Sequence, residues 1–217
     1  MATSLRRRRS TERTHAAAAL TTAPAELDRR VRMLTASVVV VVAVGVALRF
    51  LTSSHLWLDE AVTVNIARLP LSRIPDALRH DGSPPLYYLL LHGWIGVFGS
   101  GDVAVRALSA VFAVATLPLI WIAGLRVGGR RAAVAALLLL AASPFAIRFA
   151  TEARMYSLLG LLAVAGYLLL ERMLDRPSIA AGAGLAIVTG LLALTHYWTL
   201  YLLATVAVML VVRARRR

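Results

Sequence analysis

Pro84-Pro85-Leu86-Tyr87-Tyr88-Leu89-Leu90-Leu91-His92-Gly93-Trp94-Ile95-Gly96-Val97-Phe98 is the stretch on which the fold turns. It is apolar, but at roughly fifteen residues it is shorter than the ~20 that a helix needs to cross a bilayer. His92, Gly93 and Gly96 interrupt it further. Six other apolar runs surround it, at 34–51, 103–125, 132–147, 156–170, 179–194 and 199–212. If 84–98 crosses the membrane, the arginines at 126, 130 and 131, at 172 and 176, and at 213–217 lie opposite the arginine run at 6–9. If it lies along or dips into the outer interface, all these clusters share the cytoplasmic side, as the positive-inside rule favours. The reading is therefore an all-α bundle of about six spans, near 34–52, 103–125, 131–148, 156–171, 178–195 and 198–213, with a large outer first loop carrying short interfacial helices.

Composition supports a membrane protein. Of 217 residues, 59% are hydrophobic and 16% charged, and the mean hydropathy is +0.73; a soluble domain is nearer half apolar and a quarter charged. The net charge is +13, and no lysine contributes to it. Such a balance in a soluble chain would suggest nucleic acid, but here the arginines fall in short runs between spans, where cytoplasmic loops meet anionic lipid. Nucleic acid is excluded as a partner on that placement. With no cysteine, the chain has no disulfide, thiolate nucleophile or Cys-based metal site.

The chain divides into a basic, disordered cytoplasmic tail over 1–32, a membrane module over 33–213 with its outer loop at 53–102, and a basic cytoplasmic end at 214–217. The run at 6–9 is not part of a cleaved signal, because the apolar run that follows begins late, is long and lacks a small-x-small site. It precedes an uncleaved first span.

Six of the 11 acids, Asp59, Glu60, Asp76, Asp81, Asp102 and Glu152, fall on the outer side in this topology. Residues 59–69 read as a short interfacial helix ended by Pro70, with Asp59 and Glu60 in its first turn, where the helix dipole favours negative charge. Pro75 opens a second short helix to His80. Adjacent helical residues point about 100° apart, so only one of Asp59 and Glu60 can face a given substrate. One carboxylate could serve as a general base while the other holds a metal or an arginine; equally, both could be solvated helix-start acids. Arg106, near the outer end of its span, could pair with either acid, hold a phosphate, or snorkel. Thr151-Glu152-Ala153-Arg154-Met155-Tyr156 offers a second outer acid; if it is helical, Glu152 and Tyr156 share a face. The alternative is span-end decoration, with Tyr156 in the aromatic belt. His80 and His196 have no sequence-local partner at metal-ligand spacing, which gives zinc little support. Tyr87, Tyr88, Trp94, Tyr197 and Trp198 read as interfacial anchors, and Arg49 as a snorkelling side chain.

Five motifs in order carry a resemblance: Trp57-Leu58-Asp59-Glu60-Ala61; His80-Asp81-Gly82-Ser83-Pro84-Pro85-Leu86-Tyr87-Tyr88; Phe98-Gly99 with Ala104-Val105-Arg106-Ala107-Leu108-Ser109-Ala110; Ser143-Pro144-Phe145; and Thr151-Glu152-Ala153-Arg154-Met155-Tyr156. Over about 50–213 the chain resembles the N-terminal half of the polytopic GT-C glycosyltransferases, family 39-like, that include protein O-mannosyltransferases and lipid A aminoarabinose transferases. The resemblance implies transfer of a sugar, mannose in the nearest case, with inversion. The donor would be a polyprenyl-phosphate carrier in the membrane, and the acceptor a glycan, lipid or protein at the extracytoplasmic face of the plasma membrane. It implies Asp59 as the base that activates the acceptor and Glu60 as its catalytic partner. The substrate contacts it implies are His80, Asp81, Pro85, Tyr87, Arg106, Glu152, Arg154, Tyr156, His196 and Tyr197, with Arg106 and Arg154 set against the donor phosphate or the acids. No cofactor is specified, and a divalent metal stays open. Such enzymes usually continue for several more spans, so the resemblance also implies a truncated or split product, or a half completed by a second subunit. Two other classes stand beside the enzyme: a non-catalytic membrane scaffold subunit and a lipid-sugar transporter. Transporters place ionisable groups near mid-membrane and often show internal repeats; here the span interiors carry almost no charge and no repeat is visible.

Overall fold

Long runs of Ala, Leu and Val can satisfy their backbone in lipid only as helices, and among the described residues every regular element is a helix. The computed structural model describes residues 29–52 and 54–216; most of the basic tail expected over 1–32 lies outside them. Two units are distinguished, Met1–Val41 and Val42–Arg217. In the first, the described residues are helical, with the Thr35 and Ser37 hydroxyls bonded back to the carbonyls of Val31 and Met33.

Helix α1 is Arg29–Leu48. Then follow α2 (Leu58–Ala67), α3 (Ile74–Asp81), α4 (Leu86–Phe98), α5 (Asp102–Ala142), α6 (Pro144–Ala150), α7 (Tyr156–Asp175), α8 (Ile179–Ala193) and α9 (Thr199–Arg215). Helices α1, α5 and α7 are long and apolar enough to cross a membrane; α4 and α8 are shorter apolar helices. The result is a helical membrane bundle, as expected.

Helix α5 is two antiparallel arms. Gly128 (φ −157°, ψ 27°) and Gly129 (φ 67°, ψ −160°) leave the helical region, and a positive φ of this kind is glycine territory. The arms then press together at Gly124, where an added Cβ would lie 2.5 Å from the Ala133 Cα. The expected boundary near residue 130 between two spans is thus a turn with almost no loop.

The arms and α7 set the two ends of the second unit. Arg106 near the start of α5 meets Glu60 of α2, and Ala153, just before α7, meets the same Glu60. At the far ends of those helices Arg126 meets Glu171 at 3.6 Å. Helix α8 returns, and the Leu194 carbonyl accepts from the Leu86 amide at the start of α4. Beneath the acid pair, Val64, Tyr87, Leu91, Val105, Leu108, Ala153, Leu158 and Leu192 form one buried cluster joining α2, α4, α5, α7 and α8. A smaller cluster of Ile66, Ile74, Leu78 and Tyr88 seats α3.

Three local expectations change. Arg49 does not snorkel: it is buried, and its guanidinium donates to the carbonyls of Gly45 (2.7 Å), Ala141 (2.9 Å) and Leu140 (2.6 Å). These carbonyls lie at the ends of α1 and α5, where helices leave acceptors unsatisfied. Tyr87 and Tyr88 are core residues, each 1% exposed, rather than interfacial anchors. Residues 151–155 form an irregular turn, not a helix, so Glu152 and Tyr156 do not share a helical face.

Candidate active site at the acidic end

Trp57 caps α2, which places Asp59 at the second helical position and Glu60 at the third. A glutamate at the third position can reach back to the amide of the capping residue, and the Trp57 N–H donates to Glu60 Oε2 at 3.2 Å. That geometry turns Glu60 inward and Asp59 outward.

Glu60 is completely buried and all its acceptor capacity is used. Arg106 Nε donates to Oε1 (2.7 Å) and Nη2 to Oε2 (2.5 Å), a two-pronged pair. The Ala153 N–H donates to Oε1 at 2.8 Å. Burial by itself raises the Glu60 pKa, but the hydrogen bonds from Arg106, Ala153 and Trp57, with the Arg106 charge, outweigh it and hold the carboxyl below its ordinary value. Glu60 is a fixed anion.

Arg106 is equally committed. Besides Glu60, its Nη1 donates to Thr52 Oγ1 (3.0 Å) and the Ser54 carbonyl (2.6 Å), and its Nη2 to the His55 carbonyl (3.1 Å). A guanidinium has five N–H groups, and all five are spent. It ties the segment before α2 to α5 and has nothing left for a ligand.

Asp59 differs from its neighbour. It is half-buried, and among the described residues nothing donates to its carboxylate. Only its backbone carbonyl is engaged, by Thr63 Oγ1 (2.7 Å) and Arg154 Nη1 (3.4 Å). Arg154 Nη1 also donates to Thr63 Oγ1 at 2.9 Å. Its Nε is buried without a partner. Arg154, held against the first turn of α2 through the Asp59 carbonyl and Thr63, is the second feature of this end.

Tyr156 and His196 adjoin Arg154. The Tyr156 ring lies 4.6 Å from Phe149 and 6.3 Å from His196. The Trp198 N–H donates to His196 Nδ1 at 3.1 Å, which places the proton of the neutral ring on Nε2. Burial and the nearby Arg154 charge lower the His196 pKa, so the ring is neutral at pH 7.

The other expected residues are placed as follows. Tyr87 hydrogen bonds Ser109 at 2.8 Å, and Ser109 donates to the Arg154 carbonyl at 3.0 Å; Tyr87 thus supports the turn that carries Arg154 from within the core. Asp81 accepts from the Tyr88 hydroxyl at 2.9 Å. His80 Nδ1 donates to the Asp76 carbonyl of its own helix at 2.9 Å. Pro85 caps α4, and Pro85 and Tyr197 line a cavity of about 420 Å³ beside α3. Glu152 is buried and accepts from Arg148 Nε at 3.0 Å. Thr63 and Ser109 were not anticipated: a threonine mid-helix and a serine in an apolar span carry no signal until their partners are known. Among the described residues, no group of three or more His, Asp or Glu side chains converges as a metal site.

This end joins a locked acid, an unengaged acid and a partly free arginine on a helical membrane scaffold. Residues 82–217 match the family described as dolichyl-phosphate-mannose-protein mannosyltransferase. The match takes in α4 to α9 with Arg106 and Arg154, and begins after Asp59 and Glu60. No curated protein and no solved structure matches the chain significantly. With more than half its length matched, and an ordered acid–arginine site beside the matched segment, the chain belongs to this family of GT-C membrane glycosyltransferases, which act on lipid-linked sugar donors.

Proposed function

We propose that the chain transfers a sugar from a polyprenyl-phosphate donor to an acceptor at the extracytoplasmic face, with Asp59 as general base. The observation that carries this reading is the asymmetry of the pair: Glu60 has no free acceptor site, whereas the Asp59 carboxylate is half-exposed and unpartnered. In the reaction, Asp59 takes the proton of the acceptor hydroxyl or amine as that atom attacks the anomeric carbon. The bond from that carbon to the carrier phosphate oxygen breaks on the opposite face, with inversion. The departing phosphate needs no strong acid, because its charge can be met by positioned donors. Arg154 supplies its positive charge, and His196 a neutral Nε2–H beside it. Glu60, Arg106 and Thr63 position these groups.

The basic central turn of α5 and the basic ends of α7 and α9 lie away from Asp59, which supports a topology with those arginines cytoplasmic and the acid pair outside, in the plasma membrane. Mannose is the sugar that the family's description names. The test is transfer by membranes containing the chain, supplied with a polyprenyl-phosphate sugar. Asp59→Asn is expected to lower the rate about 10²–10⁴-fold, the usual range for a lost general base, without changing thermal stability. Unchanged transfer by Asp59→Asn would remove Asp59 from the role. Transfer by neither form would favour a non-catalytic subunit.

A further inference from the structure

At the end of the bundle away from Asp59, Arg126 of α5, the end of α7 and the turn before α8 wall a cavity of about 610 Å³. Arg126, Arg172 and Arg176 line it, together with two acids, Glu171 and Asp175. Glu171 Oε1 accepts from the Tyr167 hydroxyl at 2.5 Å, while its Oε2, buried with no hydrogen bond, stands 3.6 Å from Arg126 Nη1, which itself donates to the Leu168 carbonyl at 3.1 Å. Among the described residues, no ion pair ties Arg172 or Arg176. Ser178, on the same wall, caps α8 by accepting from the Ala181 N–H at 3.2 Å. The first amides of α8 have no acceptor within the helix, so the positive end of its dipole faces this cavity too.

Two apolar grooves lie along α7, each with a lining residue adjacent in sequence to one that lines this pocket (Val127 beside Arg126, Leu170 beside Glu171). One, of about 420 Å³, lies between the α5 arms and α7 and includes Val127 and Val164. The other, of about 510 Å³, lies between α7, α8 and α9 and includes Leu170 and Val206. Tyr167 lines both grooves while its hydroxyl holds Glu171 at the pocket wall. A small soluble anion would use the arginines but not the grooves; a zwitterionic lipid would use the grooves but gain less from the arginines. Basic pockets between membrane helices suit anionic lipid head groups.

We propose that this end of the bundle binds an anionic phospholipid, with its phosphate among Arg126, Arg172 and Arg176 and its acyl chains in the grooves flanking Tyr167. The site is separate from the acid pair, and the proposal does not depend on the chemistry assigned to Asp59.

The experiment titrates the detergent-solubilised full chain with phosphatidylglycerol, phosphatidylcholine or glycerol phosphate, and counts bound molecules by native mass spectrometry. Phosphatidylglycerol is expected to bind on the order of tenfold more tightly than phosphatidylcholine, and millimolar glycerol phosphate is expected not to displace it. Arg172→Gln/Arg176→Gln, at two exposed positions without ion pairs, should abolish the preference. Arg213→Gln/Arg215→Gln, the same charge change on α9, should leave it intact. Equal binding of the two lipids overturns the proposal, as does a preference that survives Arg172→Gln/Arg176→Gln. A preference lost equally in both double variants shows diffuse charge attraction and also overturns it. Displacement by glycerol phosphate would make this a site for small phosphates instead.

Discussion

At the scale of single residues, two adjacent carboxylates have opposite fates because one helical step rotates a side chain by about 100°. Glu60 points into the bundle and meets Arg106; Asp59 points out, and among the described residues nothing donates to its carboxylate. Glu60→Gln is expected to cost about 3–5 kcal/mol, the usual result of leaving one partner of a buried pair uncompensated. Asp59→Asn should leave the melting temperature unchanged. Thermal melts of the two variants in one detergent check the contrast, and equal melts would contradict the placement of Glu60. Arg106→Lys should also destabilise, because an ammonium has three donors in place of a five-donor fork. The pH dependence follows from the same pair. Folded Glu60 holds its charge to lower pH than unfolded Glu60, so its contribution is complete above the ordinary glutamate pKa of about 4.3. That contribution fades as pH falls through the lower folded value. Melts between pH 7 and 3 should show the wild type losing stability below about pH 4.3 more steeply than Glu60→Gln.

At the scale of elements, the α5 hairpin depends on glycine at two points. The Gly129 conformation is one that side chains resist at about 1–3 kcal/mol, and Gly124 sits against the backbone of Ala133. Gly124→Val is therefore expected to lower stability by about 1–3 kcal/mol, since backbone atoms cannot yield as a flexible side chain could. Gly160 of α7 has open space around its Cα, so Gly160→Ala should be neutral or stabilising by about 0.5–1 kcal/mol through helix propensity. A melt in which both substitutions behave alike would show that the close approach at Gly124 does not matter. The apolar runs at 103–125 and 132–147 were enough to expect two helices with a break between them. The tightness of that break was not legible, because Gly128-Gly129 could equally have opened a longer loop.

At the scale of the whole molecule, chemistry and charge separate to opposite ends of the second unit. Asp59, Glu60, Arg154 and His196 gather at one end, and Arg126, Arg172 and Arg176 at the other. If the basic end is cytoplasmic, a membrane-impermeant maleimide added outside intact cells should label Ser100→Cys and spare Arg130→Cys. The chain has no cysteine of its own, so each label reports a single site. Labelling of Arg130→Cys from outside would reverse the topology.

Fold class was legible in the sequence because lipid leaves a long apolar run no alternative to a helix. The short α4, with its proline start and interrupting glycines, was legible for the same reason: its length falls below the bilayer's thickness. The residues alone left the acid pair and Arg106 open between chemistry and solvated or snorkelling roles; the ordered motifs of the resemblance singled them out together with Arg154. Which acid is free, and which arginine, was decided only by tertiary structure. Arg106 and Glu60 lie 46 positions apart, and Ala153 and Glu60 93 apart. Whether a donor is spent depends on what the fold brings within 3 Å, and no local pattern records that. Arg49 teaches the same lesson in reverse: a cation near a span end reads as snorkelling until the unsatisfied carbonyls of two helix ends are seen around it.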